Sequence, residues 1–128
     1  MNYKDLMPDD WINTETDGYV RITFVTPTSV AYLGGVCAIE QVSPIPITKE
    51  ILVKNGFQKL NDKTFLFKDQ IEIEVGPKFS EVSARYEDYD RDFDSYNNRY
   101  IEIAIIHYIH QLQHLLRLCG IEKELIID

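Results

Sequence analysis

Two prolines separated by one residue, Pro44 and Pro46, constrain the fold of this 128-residue chain more than any other feature. Each proline fixes its own φ, lacks a backbone N–H and biases the preceding residue away from the α-helical region. Residues 43–46 therefore predict a rigid, extended connector between an N-terminal stretch and a longer C-terminal one. In a chain of this length we expect the two stretches to pack as one unit.

The stretch before the connector predicts short β-strands separated by turns. Turn formers such as Asp17-Gly18 and Gly34-Gly35 punctuate β-branched and aromatic residues. These residues cluster at positions 11–12, 19–25, 30–33 and 36–39. Strands this short and this close in sequence favour a strongly bent antiparallel barrel. We therefore predict an SH3-like small β-barrel over residues 1–47.

A short helix is predicted directly after the connector. Thr48 can accept a hydrogen bond from a free N–H of the first turn, and Glu50 complements the helix dipole there. Asn55-Gly56 ends the helix, because Gly56 can adopt the left-handed conformation.

Beyond this helix the hydrophobic period changes to two, which predicts an antiparallel meander of about four strands. The predicted strands occupy residues 64–67, 71–75, 79–86 and 100–106. Residues 87–99, between the last two strands, predict a long hairpin loop into which the strands extend partly.

The end of the chain predicts an amphipathic helix over residues 108–119. Its apolar stripe comprises Tyr108, Ile109, Leu112, Leu115, Leu116 and Cys119. We expect this stripe to cover the antiparallel sheet. The predicted fold is therefore α+β, with an SH3-like subdomain at 1–47 and an α+β subdomain at 48–128.

Composition excludes several classes of protein. Asp and Glu number 21 against 13 Lys and Arg, a net charge of −8 that argues against direct nucleic-acid binding. The first ten residues are polar and acidic, unlike a signal peptide, and the longest apolar run, residues 101–106, is too short for a bilayer span. With two cysteines in unrelated contexts and a sufficient core, we expect a cytoplasmic protein that contacts no membrane.

Two longer segments carry a sequence resemblance. They are residues 43–57, SPIPITKEILVKNGF, and residues 108–124, YIHQLQHLLRLCGIEKE. Together with the opening residues 5–12, DLMPDDWI, they resemble small uncharacterised proteins of gut anaerobes, often encoded in prophage-like or mobile regions. Those proteins more often have Gly where Pro8 or Asp9 stands. The resemblance implies a shared fold and setting but no established activity and no catalytic residue.

Three histidines near the last helix are candidate metal ligands: His107, His110 and His114. His110 and His114 have the i, i+4 spacing at which two imidazoles can bind one zinc ion. The intervening Gln111 and Gln113 provide no carboxylate for the general base of a metalloprotease motif. The alternative is a polar helix face that contacts solvent or borders the small barrel.

An acidic and aromatic segment is the candidate binding surface for a protein partner. Its candidate residues are Asp88, Tyr89, Asp90, Asp92, Phe93, Asp94 and Tyr96. The alternating aspartates do not fit a calcium loop, since neither the required Gly nor the bidentate Glu is present. Tyrosines among carboxylates are suited to a basic partner protein. The alternative is a solvated loop.

Nothing else in the sequence indicates catalysis or a cofactor. Cys37 and Cys119 lie in apolar contexts typical of buried thiols, and Gly34-Gly35 lacks the spacing of a phosphate-binding loop. We therefore predict a non-enzymatic accessory or protein-interaction domain of phage or mobile-element origin, with no catalytic residue, no cofactor and an unknown, basic protein partner. The alternatives are a metal-binding protein or hydrolase that uses His110 and His114, and an acidic mimic of nucleic acid that inhibits a DNA-binding protein.

Overall fold

The computed structural model describes residues 1–127, and it describes no side chain at positions 86–90 and 95–99. The chain divides into two compact units. Met1–Pro46 and the chain from Tyr108 onward form the first unit, and Ile47–His107 form the second.

The first unit contains a five-stranded antiparallel sheet in the order β4-β3-β2-β1-β5, curled into a half-barrel. Its strands are β1 (Trp11–Thr14), β2 (Gly18–Val25), β3 (Ser29–Tyr32), β4 (Gly35–Ala38) and β5 (Val42–Ser43). Gly18 has a φ of 71° at the end of the β1–β2 turn, a conformation that favours glycine. A 3₁₀ helix, Ile39–Gln41, connects β4 to β5, which pairs back onto β1.

The core of the first sheet consists of side chains from its five strands, together with one residue before β1 and one from the 3₁₀ helix. The buried cluster comprises Leu6, Ile12, Ile22, Val30, Tyr32, Cys37, Ile39 and Val42. Each of the five strands thus contributes to one apolar layer. Tyr32 keeps its hydroxyl paired at the edge of this core, where it donates to Oδ2 of Asp17 at 2.6 Å.

The second unit begins with helix α1 (Lys49–Lys54), and the predicted capping is confirmed. The N–H of Ile51 donates to Oγ1 of Thr48 at 3.2 Å, and Gly56 has a φ of 88°. The N–H of Phe57 then donates to the carbonyl of Leu52 at 3.0 Å, so the chain folds back at this point.

A second antiparallel sheet follows in the order β10-β9-β8-β7-β6. Its strands are β6 (Gln58–Lys59), β7 (Thr64–Phe67), β8 (Ile71–Val75), β9 (Ser80–Asp90) and β10 (Ser95–Ile106). The buried face includes Phe65, Phe67, Ile71, Ile73, Val82 and Ile106. Antiparallel sheets with a C-terminal helix are therefore confirmed.

Helix α2 (Ile109–Leu118) corrects the predicted grouping of elements. We expected it to cover the antiparallel sheet within a subdomain at 48–128, but it belongs to the first unit. The N–H of Ile109 donates to the carbonyl of Ile45 at 2.8 Å, and Tyr108 forms a β-bridge with Pro46. The second unit is thus an insertion between two paired positions of the first. The predicted grouping was wrong because the stripe of α2 includes polar residues whose partners lie near the N-terminus.

No helix within residues 1–127 combines the length and the apolar character needed to span a bilayer. The residues after α2 have no regular secondary structure from Ile121 to Ile127. Leu125 and Ile127 are nevertheless buried.

Candidate functional site

The predicted binding segment is built on the β9–β10 hairpin. β8 pairs with β9 from Ser80 to Ala84 only, whereas β10 pairs with β9 along its whole length. The N–H of Arg85 then donates to the carbonyl of Gln70 at 2.9 Å. Residues 86–99 continue beyond this point as a two-stranded ribbon, which we call the hairpin arm.

The strands extend into residues 87–99 as expected, but they leave a shorter loop than the long one predicted there. The strands continue to Asp90 and from Ser95, so that only residues 91–94 form the turn. Cross-strand pairing explains the difference, because an antiparallel ladder can include residues of low intrinsic β-propensity.

The tip of the hairpin arm exposes an aromatic ring. Phe93 is 78% exposed, and the neighbouring Asp92 and Asp94 are also exposed. Asp94 has a φ of 48°, in the left-handed region that closes the turn. The candidate side chains of Asp88, Tyr89, Asp90 and Tyr96 lie outside the described residues.

The strand that leads away from the hairpin arm also exposes apolar side chains. Ile101 and Ile105 of β10 are 55% and 54% exposed, and Ile103 lies between them where the register with β9 shifts. Such a shift marks a β-bulge. The hairpin arm and the adjacent part of β10 therefore present apolar surface to solvent.

The three candidate histidines lie in different surroundings. His110 is 3% exposed, and its buried Nδ1 has no hydrogen-bond partner among the described residues, whereas His114 is half-buried on α2. His107 belongs to the second unit, with its ring centroid 6.5 Å from that of Phe79. No three His, Cys, Asp or Glu side chains among the described residues are close enough together to hold a metal ion.

A buried carboxylate accounts for the position of His114. Nε2 of His114 lies 2.8 Å from both carboxylate oxygens of Asp10, which is fully buried. Oδ2 of Asp10 also accepts from the N–H of Met7 at 2.9 Å. Burial raises the pKa of Asp10 above 3.8, against the hydrogen bonds from Met7 and His114, which lower it.

The neighbouring Gln113 completes this polar cluster. Its Oε1 accepts from the N–H of Trp11 at 2.9 Å, and its Nε2 donates to the carbonyl of Asp9 at 2.9 Å. We call Asp10, His110, Gln113 and His114 the buried polar cluster. It joins α2 to the start of β1, and sequence reasoning missed Asp10 and Gln113 because their partners are more than a hundred residues away in the chain.

The buried polar cluster contains a carboxylate that orients a histidine, as in an acid–base site, but its four residues include no nucleophile. An Asp–His pair can position an imidazole as a base, yet no hydroxyl or thiol of the described side chains is bonded to His114. Burial, followed by the nearby His114, lowers the pKa of His110 from 6.5 to about 4. His110 is therefore neutral at pH 7, and this cluster is best explained by packing.

The two cysteines behave differently from one another. Cys37 is buried as predicted, and burial raises the pKa of its thiol, which disfavours the reactive thiolate. Cys119 is exposed, so its predicted place on the buried stripe is wrong. The face of α2 is rotated toward His110 and Gln113, which takes Cys119 out of the core.

A cleft of about 470 Å³ lies beside the buried polar cluster in the first unit. Arg21 lies in this cleft, 3.6 Å from Asp9 and paired with Glu124, with its guanidinium 5.9 Å from the centre of the Trp11 ring. Sequence reasoning did not identify it. The guanidinium of Arg21 thus faces two carboxylates, and Arg117 and Lys123 also line the cleft.

Comparisons with models of protein families, with curated proteins and with solved structures give no match to this chain.

Proposed function

We propose that this protein is a non-enzymatic interaction module that binds a basic partner protein through the hairpin arm and the adjacent part of β10. The observation that supports it most is the position of Phe93, 78% exposed at the tip of a ribbon that extends past the third strand of its sheet.

The length of the hairpin arm favours a role outside the fold. Arg85 lies opposite Tyr100, so a two-residue turn between them would close the sheet without the residues of the arm. A two-stranded hairpin is marginally stable by itself and gains little for the core. A large exposed aromatic residue on such a ribbon is typical of a contact made with another molecule.

Charge indicates the chemistry of the partner. Residues 86–99 contain five carboxylates and two arginines. A basic protein surface would be attracted to this segment, and the attraction would increase the association rate at low salt. Phe93 would then contribute apolar contact area at the centre of the interface.

The proposal includes three further expectations. The first sheet is an SH3-like barrel, supported by the 3₁₀ helix before β5 and by the return of β5 to β1. The resemblance of residues 43–57 and 108–124 supports an origin in phage or mobile elements. A cytoplasmic setting would keep the exposed thiol of Cys119 reduced.

The test is a truncation of the hairpin arm. Residues 86–99 are replaced by Asn-Gly, a favoured type I′ turn, and the truncated and wild-type proteins are used to capture partners from an extract of the source cells. We expect a basic protein to be retained by the wild type and lost with the truncation. The truncated protein should keep a cooperative thermal transition, since the arm lies outside the core.

Capture of the same partner by the folded, truncated protein would contradict the proposal. A matched control carries amide substitutions at four exposed carboxylates away from the arm: Glu40, Asp62, Glu74 and Glu122. This control should retain the partner, because its charge change lies elsewhere on the chain.

A further inference from the structure

β10 is the end strand of the second sheet, so one of its edges is free. It pairs with β9, and no other strand of the described chain pairs with it. An edge strand leaves a row of backbone N–H and C=O groups available to an added strand. The side chains of Ile101 and Ile105, on the same strand, are exposed.

One part of this edge lacks proline, lysine and a bulge, three of the features that block strand addition, and its charged residues are Arg99 and Glu102. From Ser95 to Glu102 the register with β9 is unbroken, and this stretch contains neither proline nor lysine. The bulge between Glu102 and Ala104 then interrupts the ladder. A straight edge of this length exceeds the usual strand of five or six residues. The opposite edge strand, β6, has two residues only.

Side chains next to this straight edge provide apolar contacts. Tyr100 and Ile101, described at its end nearest the bulge, are both exposed. In known cases of strand addition, backbone hydrogen bonds supply much of the affinity and side-chain contacts supply the specificity.

We propose that the edge of β10 from Ser95 to Glu102 binds an extended, basic segment of the partner protein as an additional antiparallel or parallel strand. This inference rests on the proposed function and names the part of the partner that is recognised. The segment would carry lysine or arginine alternating with apolar residues, so that its charges are attracted by the carboxylates of the hairpin arm and its apolar side chains, which share one face of the strand, meet Ile101.

Charge also decides between a foreign segment and a second copy of this chain. Each arm carries five carboxylates against two arginines, and the whole chain carries a net charge of −8. Two such arms side by side would repel each other. A basic segment meets no such repulsion.

The experiment uses the full chain and a synthetic peptide of about nine residues in which Lys and Val alternate. Hydrogen exchange is measured at the backbone amides of residues 95–102 with and without this peptide. We expect alternate amides, those that point away from β9, to exchange at least about tenfold more slowly in the complex. A control peptide with Pro for the central Val should bind at least about tenfold more weakly, because proline cannot donate to the ladder.

Two variants of the protein sharpen the test. Ile101→Lys and Ile105→Lys add the same charge at similarly exposed positions of one strand, on opposite sides of the bulge. We expect Ile101→Lys to weaken peptide binding at least about tenfold and Ile105→Lys less than about threefold, since only the first lies in the straight edge.

Several results would overturn the inference. They are equal binding of both peptides with no amide protection, no binding of either peptide, or equal weakening by the two lysine variants. Protection without peptide, together with a dimer in sedimentation, would identify a second copy as the occupant. The proposed function has its own test, and capture of the partner by the truncated protein would contradict it.

Discussion

In most proteins apolar side chains are buried and polar side chains are exposed. The buried polar cluster and the hairpin arm depart from this rule in opposite ways. In the cluster, Asp10, His110 and Gln113 are polar and buried, whereas in and beside the arm Phe93 and Ile101 are apolar and exposed. The polar groups of Asp10 and Gln113 are paired within the first unit, so stability explains their burial. Phe93 makes no contact with the described residues that would bury its ring, so stability within the chain does not explain this exposed aromatic residue.

The largest expected contrast compares two leucines of α2. Leu112 is fully buried, so Leu112→Ala should reduce the free energy of unfolding by about 2–5 kcal/mol through lost burial and a cavity. Leu118, 84% exposed on the same helix, provides the matched control, and Leu118→Ala should cost less than about 0.5 kcal/mol. Urea denaturation measures both values. Similar losses would mean that the face of α2 is assigned wrongly.

Acidification should destabilise the protein through His110. Its pKa is lowered from 6.5 to about 4, so between these values the unfolded chain binds a proton that the folded protein does not. This contribution to the free energy of unfolding is complete above pH 6.5 and decreases as the pH falls toward 4, by at most ~3 kcal/mol.

The variant His110→Leu isolates this effect. Asp10 acts in the opposite sense. Its pKa in the folded protein is raised above the unfolded value of 3.8, so its contribution to stability increases as the pH falls from the folded pKa toward 3.8. The variant retains Asp10, so this contribution is the same in both proteins. His114 and Asp5 also influence His110 electrostatically and are unchanged. Denaturation at pH 7 and pH 5 should therefore show a smaller loss in His110→Leu than in wild type. An identical loss would exclude His110 as the source.

The hydrogen bonds of Gln113 should have a smaller effect. Gln113→Ala leaves the N–H of Trp11 and the carbonyl of Asp9 without these partners and should cost about 1–3 kcal/mol. Gln70→Ala, at an exposed turn, should cost less than about 0.5 kcal/mol. If the two variants unfold at the same urea concentration, the cluster does not stabilise the first unit.

The hairpin arm should have the smallest effect on stability. Phe93→Ser removes an exposed ring and should change the free energy of unfolding by less than about 0.5 kcal/mol. A loss of about 2 kcal/mol or more would indicate that the ring packs within the protein and would remove the main support for the interaction surface.

Local signals made much of the fold predictable from the sequence. Helix α1 begins after Thr48 and ends before Gly56 as expected, because capping depends on neighbouring residues alone. The bounds of α2 were also predictable from its periodicity. Its buried face was not, since His110 and Gln113 are buried beside partners that only the tertiary fold brings near.

The candidate surface was predictable only in part, because its backbone also depends on contacts between residues that are distant in the sequence. Composition identified Phe93 and the aspartates as a possible surface, but not the ribbon that carries them. The pairing of β9 with β10 extends to Asp90 opposite Ser95, and this register depends on contacts between strands rather than on residue preference. The low β-propensity of the aspartates predicts a loop at these positions.

The most direct test of the interaction surface is the association rate of the captured partner as a function of salt. The arm variant replaces Asp88, Asp90, Asp92 and Asp94 by Asn, and the control variant carries the four amide substitutions away from the arm. At low salt the arm variant should associate about tenfold more slowly than the control, with a weaker salt dependence and the same melting temperature. Equal association rates for the two variants would contradict the central claim.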